Sequence, residues 1–304
     1  MTQINPYFSI IIPTLNEEKY IAGLLSDLTS QSYRDFEVIV VDGKSSDQTV
    51  SIVQKYTKLL PHSKILTSPK RHVCVQRNLG AKKAKGEYLV FMDADNRIPS
   101  YFLLGIKYQL ELEPTDLLTT WIRPDIMNPS NNALATSLNL FFELNFKLKP
   151  NFLLESMIII KKTAFHTLGG FNENTMVEEG RDLINQIYNN NYTYRIVNTP
   201  TYQYSFRRIR KYGAINMAGR VAQTELLQIL NMKNSSIIKS LYPMQGGKQF
   251  DQKQNNLLIQ IANTNSKNRS KFNKKIRSLI TILNTKIDIK SLPLIKRRIK
   301  KLLS

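Results

Sequence analysis

EYLVFMDADN, residues 87–96, is a β-rich apolar run that ends on two carboxylates, Asp93 and Asp95, two residues apart. If the strand persists, its geometry sends Phe91, Asp93 and Asp95 to one face. Buried carboxylates without partners are costly. Either cations stand beside these acids, or the strand has already ended and they face a site.

Upstream of this run the chain alternates regularly. Short β-rich runs at FSIII (8–12), FEVIVV (36–41) and SKILT (63–67) are separated by helical periodicity over 17–30, 48–60 and 73–85, with Asp47 a candidate N-cap. The strand FEVIVV is apolar on both faces, as a sheet covered on both sides requires. The order βαβαβαβ gives an α/β fold with a mostly parallel central sheet flanked by helices. A helix over 100–113, a strand over 116–121 and an amphipathic helix over 133–148 follow. Residues 157–171 read as a strand, a short helix and a Gly-Gly turn. A helix from 182, a closing strand at 193–198 and a helix to about 230 complete this part.

Ligands of open parallel sheets bind outside the carboxyl ends of the strands. Here those ends carry Pro13-Thr14-Leu15-Asn16-Glu17-Glu18, then Asp42-Gly43-Lys44-Ser45-Ser46-Asp47, then Arg71 with Arg77 and Asn78, then Asp93-Ala94-Asp95. No glycine follows the first strand, which excludes a Gly-x-Gly-x-x-Gly dinucleotide turn, and no P-loop is present. Phosphate charge must be met differently. Mn²⁺ or Mg²⁺ held by the Asp-x-Asp oxygens is the expected route, because these ions bind through one or two carboxylates plus substrate phosphates.

IIIPTLNEEKYI, EVIVVDGKSSDQT, RNLGAKKAKGEYLVFMDADN and AFHTLGGFNE together resemble the successive motifs of family 2 glycosyltransferases, over about residues 8–210. The resemblance implies the GT-A fold and a nucleotide-diphosphate sugar donor. It implies that Pro13, Thr14, Asn16 and Glu17 lie along the nucleoside and that Asp42 binds the base with Ser45 beside it. It places Asp93 toward the ribose or metal and Asp95 on the metal, with Arg71 and Arg77 candidates for base or phosphate contacts. It also implies inversion at the anomeric carbon, with a carboxylate as base. Such a base belongs to an acidic motif about ten residues past the Gly-Gly-Phe turn. Here, in GGFNENTMVEEGRDL, Glu179 falls on the motif's Glu, and Gly180 occupies the position expected of the catalytic Asp. Glu179 is the first choice for the base, with Glu178 and Asp182 as alternatives. Arg207 and Arg208, in SFRRIRKYG, match a basic motif that reaches the pyrophosphate or acceptor phosphate.

The chain has 304 residues, 42% hydrophobic and 22% charged, with a formal charge of +20. Residues 266–304 carry thirteen Lys/Arg and one acid, Asp288, so +12 of the charge sits there. The expected organisation is a catalytic domain over 1–232, a polar linker over 233–265 and a basic, helical or partly disordered tail over 266–304. In LPLIKRRIKKLLS, apolar residues stand against Lys/Arg, which suits an anionic membrane surface. No secretory leader or 18-residue apolar span is read, so the expectation is a cytoplasmic protein, peripheral at the inner membrane face. A glycan or lipid-linked acceptor fits this placement. The alternative is a catalytically degenerate relative or a polyanion-binding protein. Specific nucleic-acid binding is not expected, because no aromatic-interleaved basic motif appears. The single cysteine, Cys74, excludes a disulfide framework.

Overall fold

In a computed structural model of the chain, residues 5–147, 150, 152–174 and 179–212 are described. The expected polar linker and basic tail lie outside them. Seven strands form one sheet: β1 (Phe8–Thr14), β2 (Phe36–Asp42), β3 (Lys64–Thr67), β4 (Tyr88–Met92), β5 (Leu117–Pro124), β6 (Met157–Lys161) and β7 (Tyr194–Tyr204), in the order β3-β2-β1-β4-β6-β5-β7. All neighbours pair in parallel except β6, which runs antiparallel to both β4 and β5. The helices are α1 (Ile21–Thr29), α2 (Thr49–Tyr56), α3 (Val73–Lys83), α4 (Phe102–Leu112), α5 (Pro129–Lys147), α6 (Lys162–Thr167), α7 (Glu179–Asn189) and α8 (Arg207–Tyr212).

Alternate strand residues serve opposite faces, and both faces are covered. Ile10, Ile12, Val38, Val40, Val90 and Met92 pack under α1 and α4. Ile11, Ile39, Val41, Leu89 and Phe91 pack under α3, with Phe165, Phe171 and Ile184. Two-sided burial explains why the first, second and fourth strands read as mostly apolar runs, broken only by Ser9 in β1 and Glu37 in β2.

The element boundaries differ from the sequence reading for identifiable reasons. Helix α1 begins at Ile21 rather than at 17, because the Glu17 and Glu18 amides are bound by Thr49 Oγ1 and Asp47 Oδ2 of the next loop. Helix α5 begins earlier than expected, at Pro129; proline suits a first turn, and Asn128 Oδ1 accepts the Asn131 amide there. Its buried residues are Ala135, Asn139, Phe142 and Phe146, whereas Phe141 is 54% exposed. Helix α7 begins at Glu179, so Asp182 lies in its first turn rather than before it. Strand β7 runs six residues past its expected end, through Pro200. It is the edge strand, where a missing N–H is tolerated. Its register with β5 shifts between Thr120 and Ile122, and there the buried Asn139 amide meets both the N–H and the C=O of Ile122.

Away from the strand ends, Glu37 on β2 is buried and accepts from Ser9 Oγ at 2.8 Å, Lys64 Nζ at 2.9 Å and the Lys85 amide at 2.5 Å. Burial opposes its charge, but these donors hold the carboxyl below the ordinary glutamate range. A depressed folded value means the stabilisation is present above the unfolded value and is lost as pH falls through the folded one. Glu37→Ala is expected to cost about 2–3 kcal/mol at pH 7 in denaturant unfolding. That is less than a fully buried pair, since Lys64 is 32% exposed. The deficit against wild type should shrink in acid; a constant deficit would assign the loss to packing alone.

Candidate active site

The parallel strands deliver their carboxyl ends to one edge of the sheet, and two loops there are joined side to side. Thr14 stands opposite Asp42 in the β1–β2 register. Beyond it, the Asn16 amide donates to Ser45 Oγ at 2.8 Å, and Asn16 Oδ1 accepts the Ser46 amide at 2.8 Å. Asp42 accepts from the Ser45 amide at 2.9 Å, from Ser45 Oγ at 2.5 Å and from Thr14 Oγ1 at 3.3 Å. Asp47 binds the Thr49 amide at the start of α2 as well as the Glu18 amide. Burial works against its charge, and these bonds still hold its carboxyl below the usual range. Thus Thr14, Asn16, Asp42 and Ser45, together with Asp47, brace the loop that follows Pro13 at the end of β1 and carries Glu17. Gln76 of α3, which the sequence reading did not single out, closes this brace. Its Nε2 donates to the Thr14 carbonyl at 2.8 Å and the Val41 carbonyl at 2.7 Å.

The acids that opened the question have cations beside them. Asp93 Oδ1 accepts from Arg77 Nη2 at 3.1 Å, and the same nitrogen donates to the Glu155 carbonyl at 3.0 Å. Arg77 is buried and its guanidinium lies 5.3 Å from the Phe171 ring centroid. Its neighbour Asn78 clamps the Gly-Gly-Phe turn, giving 2.8 Å to the Phe171 carbonyl and taking the Phe171 amide at 3.0 Å. Both glycines of that turn have positive φ, +80° at Gly169 and +74° at Gly170, which explains the pair. Asp93 is 39% open to water on one side and enclosed by protein on the others. That enclosure raises its carboxyl above the ordinary aspartate value, with Arg77 opposing and Asp95 reinforcing.

Asp95 pairs with Arg207 Nε at 3.1 Å, and both side chains are only 13% exposed. The other two nitrogens of Arg207 approach Glu17 at 3.3 and 3.5 Å, and the guanidinium stacks 4.5 Å from the Tyr20 ring centroid. Burial pushes Glu17 up to about 7 despite Arg207, with Asp95 adding to the rise. Three carboxylates and two arginines therefore converge on the end of β4. Arg208 is exposed, with its charge felt at Asp93. Arg71 is exposed and donates to the Lys44 carbonyl at 3.0 Å, outside this cluster. Arg210 makes a bidentate pair with Asp125, both contacts 2.7 Å, and anchors α8 to the end of β5.

Beyond the Asp-x-Asp, the carbonyl of Ser156 accepts the Asp93 amide at 3.1 Å and Asn96 Nδ2 at 2.5 Å, so the residue before β6 fixes the turn. At α7, Asp182 accepts from Asn172 Nδ2 at 3.3 Å. Glu178 and the side chain of Glu179 lie outside the described residues. Gly180 donates its amide to Glu155 Oε1 at 2.6 Å. A Cβ added at Gly180 would stand 2.8 Å from Glu155 Cγ. Glu155 was legible in the sequence only as a charge interrupting an apolar run.

As for a metal, Asp93 and Asp95 present hard oxygen donors of the kind Mn²⁺ and Mg²⁺ prefer. No ready-made group of three ligating side chains exists among the described residues. Two such carboxylates fit an ion that draws its other ligands from elsewhere, and Asp95 is at present paired with Arg207.

A mixed sheet with an Asp-x-Asp at its carboxyl edge and arginines around it is the arrangement the GT-A resemblance leads one to expect. The glycosyl transferase family 2 model matches residues 9–168, and the chain belongs to that family. It is similar to the Staphylococcus aureus poly(ribitol-phosphate) beta-N-acetylglucosaminyltransferase TarS, 44% identical over 94 residues, which is 30% of this chain and 16% of TarS. A Mycobacterium bovis PGL/p-HBAD biosynthesis glycosyltransferase is 29% identical over 170 residues, 55% of this chain and 64% of that one. The chain thus matches less than two thirds of either relative's length. Among solved structures, S. aureus TarS 1–349 in complex with UDP-GlcNAc superposes with a TM-score of 0.56 at 22% identity, over 94% of this chain and 77% of that one. The mannosyltransferase PcManGT from Pyrobaculum calidifontis, in complex with GDP-Man and Mn²⁺, gives 0.55 at 16% identity, over 99% and 86%. Both likenesses are of fold.

Proposed function

We propose that the chain transfers a sugar from a nucleotide-diphosphate donor to an acceptor hydroxyl or lipid phosphate, with inversion and with Mn²⁺ or Mg²⁺ held by Asp95 and Asp93. The observation that carries this reading is the joining of Asp93 to Arg77 and of Asp95 to Arg207 at the sheet edge where the braced nucleoside-side loops also end. When bound, the ion supplies Lewis-acid stabilisation of the departing diphosphate. Arg207 and Arg208 add positive charge to the same leaving group, which guanidinium geometry suits. Pro13, Thr14, Asn16, Glu17, Asp42, Ser45 and Arg71 form the nucleoside side. The UDP-GlcNAc of TarS and the GDP-Man of PcManGT support a nucleotide sugar as donor.

For the acceptor, α5 supports an amphiphile or lipid-linked glycan: opposite its buried face it exposes Leu140, Phe141 and Leu144. No helix among the described residues is long and apolar enough to cross a membrane. The thirteen Lys/Arg of residues 266–304 support attachment to an anionic, cytoplasmic membrane face. Cell-surface glycan, glycolipid or glycoprotein synthesis is the corresponding setting.

The test is release of nucleoside diphosphate from UDP-, GDP- and dTDP-sugars, with Mn²⁺ and then with EDTA. One donor class is expected to turn over, slowly to water and faster once an acceptor is supplied, and EDTA is expected to stop it. Turnover unaffected by EDTA would remove the metal from this account.

A further inference from the structure

On the transfer reaction proposed above, we infer that Glu155 is the general base that takes the acceptor's proton, occupying the space of the side chain that position 180 lacks. Three independent observations meet at this residue. The first is topology. Strand β6 is antiparallel to β4 with Met92 opposite Met157, and the pairing continues outward through the Asp93 amide and the Ser156 carbonyl. The next residue outward, Glu155, therefore emerges at the carboxyl edge of the parallel strands, beside the Asp-x-Asp. Its carbonyl shares Arg77 Nη2 with Asp93, which fixes that placement.

The second is space. A glycine in a first helical turn costs about 1 kcal/mol against alanine, and Gly180 has no positive φ that would require it. What requires it is Glu155: a Cβ at 180 would lie 2.8 Å from Glu155 Cγ, 3.2 Å from Oε1 and 3.2 Å from Leu153 Cβ. A carboxylate from β6's approach thus fills the volume that a carboxylate on α7 would enter. The third is chemistry. The Gly180 amide holds Oε1 at 2.6 Å at the positive end of an eleven-residue helix, which favours the ionised form a base needs. Glu155 is half-buried. Asp93, Asp95 and Glu17 are meanwhile paired with Arg77 and Arg207.

In the step itself, the acceptor O–H gives its proton to the Glu155 carboxylate as the acceptor oxygen bonds to the anomeric carbon. The bond from that carbon to the diphosphate oxygen breaks, and its electron pair leaves with the nucleoside diphosphate. Water in place of the acceptor gives donor hydrolysis by the same proton transfer.

The experiment follows nucleoside diphosphate release from the sugar nucleotide that wild type turns over, and thermal stabilisation by UDP or GDP. Glu155→Gln is expected to lower kcat about 10²–10⁴-fold, with donor KM and diphosphate stabilisation unchanged. Gly180→Asp alone should also lose activity, through collision with Glu155. The double variant Glu155→Gly, Gly180→Asp returns a carboxylate to position 180 and should recover at least tenfold over Glu155→Gly. A kcat for Glu155→Gln within threefold of wild type overturns the inference, as does a loss of turnover in Glu179→Gln that Glu155→Gln does not share. Should Glu155→Gln lose diphosphate binding too, the double variant decides: recovery supports the assignment and its absence overturns it. A wild type that releases no diphosphate from any donor removes the transfer reading, and the base assignment with it.

Discussion

Asp95→Asn is expected to abolish metal-dependent stabilisation by nucleoside diphosphates and to lower turnover about 10³-fold or more. A Lewis acid at a phosphoryl oxygen supplies several kcal/mol, and each 1.36 kcal/mol is a factor of ten. Asparagine keeps the shape and removes the charge that pairs with Arg207 and that the proposed ion would need. At a hundred times its dissociation constant a ligand adds about 2.7 kcal/mol to stability, so its loss is measurable in a thermal melt. The ligand-free variant should remain folded, because Arg207 keeps Glu17 and the face of Tyr20. Its own midpoint should fall by no more than about 1–2 kcal/mol of stability, as for one charged hydrogen bond in a partly solvated pair. Full activity in Asp95→Asn would place the metal, or the diphosphate, elsewhere.

Arg77→Ala is expected to damage fold and site together. This buried guanidinium joins three elements: Asp93 beyond β4, the Glu155 carbonyl before β6, and Phe171 of the Gly-Gly-Phe turn. Its removal leaves an enclosed aspartate without its partner and a cavity against an aromatic ring. We expect about 2–4 kcal/mol lost in denaturant unfolding. The value falls short of a fully buried pair because Asp93 keeps 39% of its side chain in water. Arg77→Lys should recover little, since the shorter reach of the ammonium and its lack of a planar guanidinium lose the packing on the Phe171 ring that sets the donor in place. Turnover in both variants should fall further than donor affinity, because Asp93 and Glu155 lose their common support. Wild-type stability in Arg77→Ala would mean the pair carries no structural weight.

Much of the sheet was legible because a strand covered on both faces leaves a mostly apolar run, and these runs stop before Asn16, Asp42 and Asp93. The partnership of Asp93 and Asp95 with cations was also within reach, since buried carboxylates need them and Arg77 and Arg207 were already in view. What escaped depends on contacts distant in sequence. That Asp42 and Asn16 also lock one loop to the next was not legible, because it depends on the Thr14–Asp42 register. Gln76 looked like an ordinary helical residue, since its two carbonyl partners come from strands 35 and 62 positions away. Glu155 escaped because nothing local announces that β6 is antiparallel, and only that direction brings the residue before β6 to the site. Gly180 announced a departure from the family's pattern without saying what filled the space.

A nucleoside diphosphate is expected at the carboxyl edge of the sheet, its charge met by the arginines and by an ion held on Asp93 and Asp95. Titration calorimetry of UDP, GDP and dTDP into the wild-type chain, first with Mn²⁺ and then with EDTA, tests it most directly. The account predicts that one of the three binds with Mn²⁺ and that EDTA weakens it at least tenfold. Absence of binding by all three in the presence of metal would contradict it.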